Sequence, residues 1–235
     1  MAKRSFQPQA EDSARTLTEQ VCAQLREDIM DGRLAPGSKL RVEHLRQHYG
    51  VGAGTLREAI TRLTTEALVL SEGQRGFRVA PIALDELRQL TQLRVHVEVE
   101  ALRQSIRAGD AAWREKLQTA YDALSALEQP LRPEHARQWE TMNARFHETL
   151  ITGEPARWTV QVVRMLAQHS ERYRRLAIHL TRGRRDVHAE HAAIFEAAMA
   201  GNELRAAMAL EAHICATADV VAQALQVQAA DAAKD

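Results

Sequence analysis

The chain of 235 residues has few cysteines, no long apolar run and no net charge. Its two cysteines, Cys22 and Cys215, stand outside any metal-binding or redox spacing, which indicates two reduced thiols and excludes a disulfide framework. No apolar stretch is long enough for a membrane-spanning helix, and the N-terminus lacks the apolar segment of a signal peptide. These absences predict a cytoplasmic protein.

Charge is almost balanced along the chain, with 31 basic and 31 acidic side chains. Residues 1–80 carry a small excess of basic side chains, and the remainder carries a small excess of acidic ones. The sign suits DNA binding by the N-terminal part, although so small a difference proves little. Strand-like patterns end near Val79, which predicts two domains of different type.

A helix-turn-helix pattern precedes that boundary. Leu40, Val42 and Leu45 are spaced for one face of a short helix, which the Gly50-Val51-Gly52 turn ends. A second helix is predicted over residues 53–66. Its apolar stripe has 3.6-residue spacing: Leu56, Ala59, Ile60 and Leu63. In a helix-turn-helix, this second helix enters the DNA major groove.

A glycine-tipped hairpin follows the second helix. Residues 68–70 and 77–79 are predicted strands, and the turn between them is Gly73-Gln74-Arg75-Gly76. Arg75 at the tip could reach a phosphate or the minor groove. Helix, turn, helix and hairpin together predict a winged helix-turn-helix.

Three motifs make this segment resemble the N-terminal domain of the GntR family of bacterial transcription regulators. They are G-x-L-x-P-G-x-x-L at residues 32–40, Leu-Arg-Glu-Ala at 56–59 and Gly-Phe-Arg-Val at 76–79. The chain departs from the family pattern at Ala53 and Glu43, where basic residues are common. The resemblance implies operator contacts, with Arg57 foremost, from eight residues: Arg41, Gly54, Thr55, Arg57, Arg62, Gln74, Arg75 and Gly76.

The rest of the chain is predicted to be helical, so the fold class is mainly α. Six helices are predicted, at residues 84–108, 110–128, 134–151, 155–181, 186–200 and 202–226, with Asn202 capping the last. An antiparallel bundle is their natural packing. The predicted organisation is a disordered tail (1–15), a winged helix-turn-helix (16–80), a linker (81–84), a helical ligand-binding and dimerisation domain (85–227) and a disordered tail (228–235).

Three histidines on different predicted helices suggest a metal site. Asn143 and His147 are four residues apart, so they share a helix face, and His191 and His213 follow on later helices. Three imidazoles with an amide oxygen suit zinc or nickel. From spacing alone, ordinary surface or core histidines remain the simpler interpretation.

The helical part resembles the ligand-binding domain, of the FCD type, in the FadR subfamily of GntR regulators. Asn143, His147, His191 and His213 match the subfamily's metal ligands in order and context, so the resemblance implies a bound divalent metal. Asparagine in place of aspartate removes one negative charge, which should weaken the site.

A second element is Arg94 with Glu98, four residues later. By itself such a pair is usually a surface ion pair, whereas the resemblance implies an arginine that faces the pocket and binds a carboxylate. Arg172, Tyr173 and Arg174 could add contacts or form a solvated basic face. Metal and arginine together imply a small organic acid as effector, a C4–C6 dicarboxylate or hydroxy acid.

The predicted function is a ligand-responsive transcription regulator, a repressor of a catabolic operon that binds operator DNA of the bacterial nucleoid as a homodimer. One alternative is a metalloenzyme in which the metal activates water. Against it, the only nearby carboxylates, Glu148 and Glu190, are expected to face solvent. The other alternative is a direct metal sensor, for which organic acids would not change operator affinity.

Overall fold

The computed structural model describes residues 16–129, 131–154, 156–181 and 185–232. The chain divides into two compact units after Ile82. The predicted tail over residues 1–15 lies outside the described residues, as does Pro155, where the fourth helix of the bundle was expected to begin. Within the described residues, no helix is long and apolar enough to cross a membrane.

The first unit is a three-helix domain with a small antiparallel sheet. Its elements are α1 (Leu17–Met30), β1 (Lys39–Leu40), α2 (Val42–Tyr49), α3 (Ala53–Thr65), β2 (Val69–Ser71) and β3 (Phe77–Val79). The strand order is β1-β3-β2. The order of helices and the hairpin confirm the predicted winged helix-turn-helix.

The core of this unit forms where α1 packs on α3. Helix α1 starts with a capping box in which Thr16 and Glu19 satisfy each other's backbone N–H groups. Leu25 of α1 and Leu56 and Leu63 of α3 are completely buried. Gly50 ends α2 in the left-handed region, at φ 66°, which explains the glycine at the turn.

The prediction for Leu40 was wrong. Leu40 does not continue the face of α2 but lies in β1, opposite Phe77 of β3. Strand β1 forms because the chain turns at Gly37, whose N–H donates to the Val79 carbonyl at 3.0 Å, and this brings residues 39–40 alongside β3. Such pairing between distant residues leaves no local periodicity in the sequence.

A buried carboxylate joins α1 to the end of α2. Asp28 is only 7% exposed and accepts hydrogen bonds from the Tyr49 hydroxyl and, at 2.6 Å, from the Arg33 guanidinium. Burial, followed by the hydrogen bond to Asp28, raises the pKa of Tyr49. Both partners donate to Asp28, which compensates its carboxylate for the hydration lost on burial.

The second unit is a bundle. Its described α-helices are α4 (Leu84–Ala108), α5 (Ala111–Ser125), α6 (Ala136–Leu150), α7 (Arg157–Thr181), α8 (Val187–Met199) and α9 (Glu203–Ala232). A 3₁₀ turn (Pro133–His135) precedes α6. Helix α9 packs against α4, α7 and α8, and α5 packs against α6 and α8. The mainly helical fold class is confirmed.

Side-chain caps start several of these helices where the sequence indicates. The backbone N–H of Arg205 donates to the Asn202 side chain at 3.0 Å, as predicted for the last helix. Helix α9 continues past residue 226 to Ala232, so residues 228–232 are helical and the predicted tail begins too early. The alanine-rich sequence of this segment favours helix and explains the extension.

Replacing Tyr49 with Phe should lower the stability of the first unit by about 1–2 kcal/mol, because the buried Asp28 loses a hydrogen-bond donor. The measurement is amide hydrogen exchange of residues 17–65, which should become faster. Replacing Arg46, whose ion pair with Glu43 is exposed, with Ala is the control and should have little effect. Unchanged exchange in Tyr49→Phe would contradict a stabilising role for this bond.

Candidate metal centre and DNA-binding surface

Three helices of the bundle bring three imidazoles together in its interior. His147 of α6, His191 of α8 and His213 of α9 are buried, and one ring nitrogen of each lies within 4.8 Å of the others. The ring centroids of His191 and His213 are 4.5 Å apart, and those of His147 and His213 are 5.1 Å apart. Asn143, one turn before His147, is also buried.

Several polar atoms of this cluster have no hydrogen-bond partner among the described residues. They are Oδ1 of Asn143, both ring nitrogens of His147 and Nε2 of His191, all shielded from solvent. Buried polar atoms rarely stay unsatisfied, because each loses its hydration without compensation. A divalent cation would satisfy an oxygen and imidazole nitrogens at once, so the residues present fit a metal site.

Two carboxylates fix the orientation of the imidazoles. Nδ1 of His191 lies 2.8 Å from Glu128, and Nδ1 of His213 lies 2.8 Å from Glu190. Since a carboxylate accepts, each Nδ1 carries the proton and each Nε2 keeps a lone pair for a metal. Glu128 also accepts a hydrogen bond from the indole N–H of Trp139 at 2.7 Å.

Sequence reasoning missed both of these roles. Glu128 follows α5, and its separation of 63 residues from His191 gives no local signal. Glu190 was expected to face solvent, but it joins His213 and Arg185 in a network. Glu148 does pair with a surface arginine, Arg164, at 2.5 Å.

Burial keeps His147 and His213 neutral. It lowers the pKa of His147 well below the usual range, and the neighbouring His213 and His191 add to the effect. The pKa of His213 is likewise well below its usual value, first through burial and then through His191 and Arg185. Neutral imidazoles are the form that binds metals.

Two of the predicted ligand-binding arginines lie near the histidines. Arg94 forms a buried ion pair with Glu98 at 2.6 Å, and Glu98 lies 3.7 Å from Nδ1 of His147. The pair is therefore not the surface pair that its spacing alone suggests. Arg174 binds Glu140 with two nitrogens, Nε at 3.0 Å and Nη2 at 2.7 Å.

Arg172 and Tyr173 point to another part of the unit. The Arg172 guanidinium lies 5.3 Å from the Tyr173 ring, and both residues interact with Glu86 near the start of α4. Tyr173 also hydrogen-bonds to the backbone of Ala83. The three residues predicted as one group are thus divided, with Arg174 alone on the histidine side.

The predicted DNA-binding residues lie on three segments of the first unit. On α3, Gly54 and Arg57 are exposed and Thr55 is half-buried. Arg41, which immediately precedes α2, is also exposed. Gln74 and Arg75 are exposed in the wing, where Gly76 has a φ of 92° that favours glycine.

The basic residues of this surface differ in their partners. Arg62 pairs with Glu58 at 2.9 Å and lies 3.9 Å from Glu19. Among the described residues, the side chains of Arg41, Arg57 and Arg75 make no ion pair. Unneutralised cations attract phosphate more strongly, so Arg57 is a better candidate for DNA contact than Arg62.

Comparison with known proteins agrees with both halves of this description. Residues 17–79 match the gntR family of bacterial regulatory proteins, and residues 89–216 match the FCD domain. The HTH-type transcriptional regulator BphR of Paraburkholderia xenovorans (strain LB400) is 42% identical over 214 residues, which are 90% of this chain and 87% of that protein. The HTH-type transcriptional repressor GlaR of Escherichia coli (strain K12) is 28% identical over 86% of this chain and 94% of its own length.

Solved structures show the same fold. A GntR transcriptional regulator from Rhodococcus sp. RHA1 superposes with a TM-score of 0.67 at 22% identity, covering 87% of this chain and 97% of its own. The winged helix-turn-helix and the FCD bundle together define the class of protein, which is a transcription regulator with a ligand-binding domain. Members of this class are not enzymes. The chain belongs to the GntR family, in its FCD-containing FadR subfamily.

Replacing Glu128 with Gln should weaken zinc or nickel binding by about 10- to 100-fold, because the amide no longer holds the His191 imidazole as a carboxylate does. Competition with a chelating dye would measure the change. Glu134→Gln, at an exposed position, is the matched control and should bind metal as the unaltered chain does. Equal affinities for the two variants would contradict the orienting role of Glu128.

Replacing Arg57 with Ala should lower DNA affinity by about 1–3 kcal/mol if Arg57 contacts a base. Arg62→Ala should have a smaller effect, since Glu58 and Glu19 already partner that arginine. Fluorescence anisotropy at constant salt with DNA from the regulator's own promoter would compare the two. A larger loss for Arg62→Ala would show that the reading surface is centred elsewhere on α3.

Proposed function

We propose that this regulator is a homodimeric repressor whose DNA affinity is controlled by a small organic acid bound at a metal centre. The observation that carries this proposal is the cluster of buried His147, His191 and His213, which lies beside two arginines. Among the described residues, both ring nitrogens of His147 and Nε2 of His191 have no hydrogen-bond partner. The kinship with GlaR, named as a transcriptional repressor, supports repression.

Asn143 and the three histidines would hold the metal, with zinc and nickel suiting this donor set best. A bound divalent ion supplies a Lewis acid that attracts a carboxylate. Arg94 and Arg174 supply positive charge on the same side of the bundle, and Glu98 and Glu140 hold their guanidinium groups in place. The resemblance to the subfamily suggests a C4–C6 dicarboxylate or hydroxy acid as the effector.

DNA binding would use two copies of α3 in adjacent major grooves, about 34 Å apart, on an inverted repeat. Two-fold symmetry of the protein then matches that of the operator in the bacterial cytoplasm. The eight predicted contact residues of the first unit would read this site. For the acid to release the operator, it must bind the DNA-free arrangement more tightly than the DNA-bound one.

A direct metal sensor is the remaining alternative. In that case the ion itself would change operator affinity, and an organic acid would add nothing. The buried ion pairs of Arg94 and Arg174 favour the acid sensor, because a metal sensor has no need of two arginines beside its cation.

Fluorescence anisotropy with DNA from the regulator's own promoter tests the proposal. The metal-loaded chain should bind this DNA more tightly than scrambled DNA, and one member of a panel of organic acids should lower its affinity. If affinity responds to the metal and to no acid, the direct metal sensor is correct.

Replacing His191 with Ala should abolish the response to the acid, because it removes one imidazole from the proposed centre, and should leave operator affinity within about twofold. His96→Ala is the matched control: His96 is exposed on α4, and its ring hydrogen-bonds to the Gln92 carbonyl at 2.7 Å. Retention of the acid response in His191→Ala would show that the effector binds outside the histidine cluster.

A further inference from the structure

A cavity lies beside His213 in the helical unit. Including its mouth, it encloses about 360 Å³, but the centre of a water molecule can reach only about 20 Å³ of this space. Its described lining consists of Leu131, Trp139, Arg174, Ala177, Ile178, Arg185, Val187, His213 and Thr217. The cavity therefore combines a polar end, beside one of the three clustered histidines, with a largely apolar wall.

The polar end offers few free hydrogen-bond donors. Arg185 uses all three of its nitrogens, for Glu190, Thr217 and the His213 carbonyl. Arg174 uses Nε and Nη2 for Glu140 and the Ala167 carbonyl, and its Nη1 makes no hydrogen bond within the described residues. One arginine nitrogen beside one metal ligand suits a single carboxylate group.

The rest of the described lining is apolar. Leu131, Ala177, Ile178 and Val187 carry no polar side-chain atoms, and the indole N–H of Trp139 is already bonded to Glu128. A second carboxylate placed along this wall would lose its hydration, and none of the described residues of the wall carries a charge to compensate. A hydrocarbon chain or aromatic ring would gain from leaving water.

We propose that the cavity selects a monocarboxylate with an apolar aliphatic or aromatic body over a dicarboxylate of the same length. This inference rests on the proposed function, keeps its small organic acid as effector, and replaces the C4–C6 dicarboxylate that the subfamily resemblance suggests. The acid group lies between His213 and Arg174, and the body lies along Trp139, Ile178 and Val187. Because the cavity admits only about one water, a body of this size must push its walls apart, so binding requires the helices that line the cavity to move.

Calorimetric titration of the zinc-loaded full chain tests the proposal with matched ligands. Hexanoate and adipate have the same six carbons and differ only in the second carboxylate. Hexanoate should bind at least tenfold more tightly than adipate, and benzoate should also exceed adipate. Acetate, which has the acid group and almost no body, should bind weakly and in a zinc-dependent manner.

A cavity-filling variant, Ala177→Leu, should reduce hexanoate affinity at least tenfold and leave acetate affinity unchanged, because only the body meets the added side chain. Ala112→Leu, at an exposed position of α5, is the matched control and should bind both acids normally. Helix content by circular dichroism verifies that both variants fold. The hexanoate–adipate comparison needs no variant and stands if Ala177→Leu fails to fold.

Three results would overturn the proposal, and they differ in whether the proposed function fails with it. If adipate binds as tightly as hexanoate, or if Ala177→Leu leaves hexanoate affinity unchanged, the apolar preference is wrong and the metal-anchored acid sensor stands. If no acid binds, acetate included, the proposed sensing of organic acids fails together with the preference.

Discussion

The helical unit depends on the pairing of three carboxylates that it buries. Glu98, Glu128 and Glu140 are almost fully shielded from solvent, and each has a cationic or N–H partner on another turn or another helix. Removing one member of such a pair typically costs about 3–5 kcal/mol. The Glu128 contacts that help to hold the bundle together therefore also orient the His191 imidazole, so the stability of the unit and the proposed metal site share this residue.

In the first unit, by contrast, most of the charged side chains that matter for function are exposed. Among the described residues of this unit, Asp28 is the one buried carboxylate, and Tyr49 and Arg33 donate hydrogen bonds to it. The arginines on α3 and at the tip of the wing are exposed. Arg57 and Arg75 have no ion-pair partner among the described residues and remain available to a polyanion. Charged side chains are thus paired inside the helical unit and exposed on the surface of the first unit. The first arrangement suits a domain that encloses a small ligand, and the second suits a domain that reads DNA.

Local patterns predicted most of the fold, and long-range contacts explain what they missed. Residues close together in the sequence determine the apolar stripe of α3, the glycine turn at Gly50 and the helix cap at Asn202. Leu40 was assigned to the wrong element because β1 forms only by pairing with β3. Glu128 was missed because it follows α5 and contacts His191 of α8, 63 residues further along the chain. Arg172 and Arg174 look alike in sequence, yet two residues along a helix turn a side chain by about 200° and send them to different surroundings.

Trp139 gives the protein an optical reporter of its own centre. Its indole lines the cavity and donates to Glu128, the carboxylate that holds His191. The chain has only three tryptophans, and all belong to the helical unit, while Trp158 is 75% exposed. Emission from the buried indoles can therefore be separated from that of Trp158 by a soluble quencher, and occupancy of the centre can be followed in the unlabelled protein while it is bound to DNA.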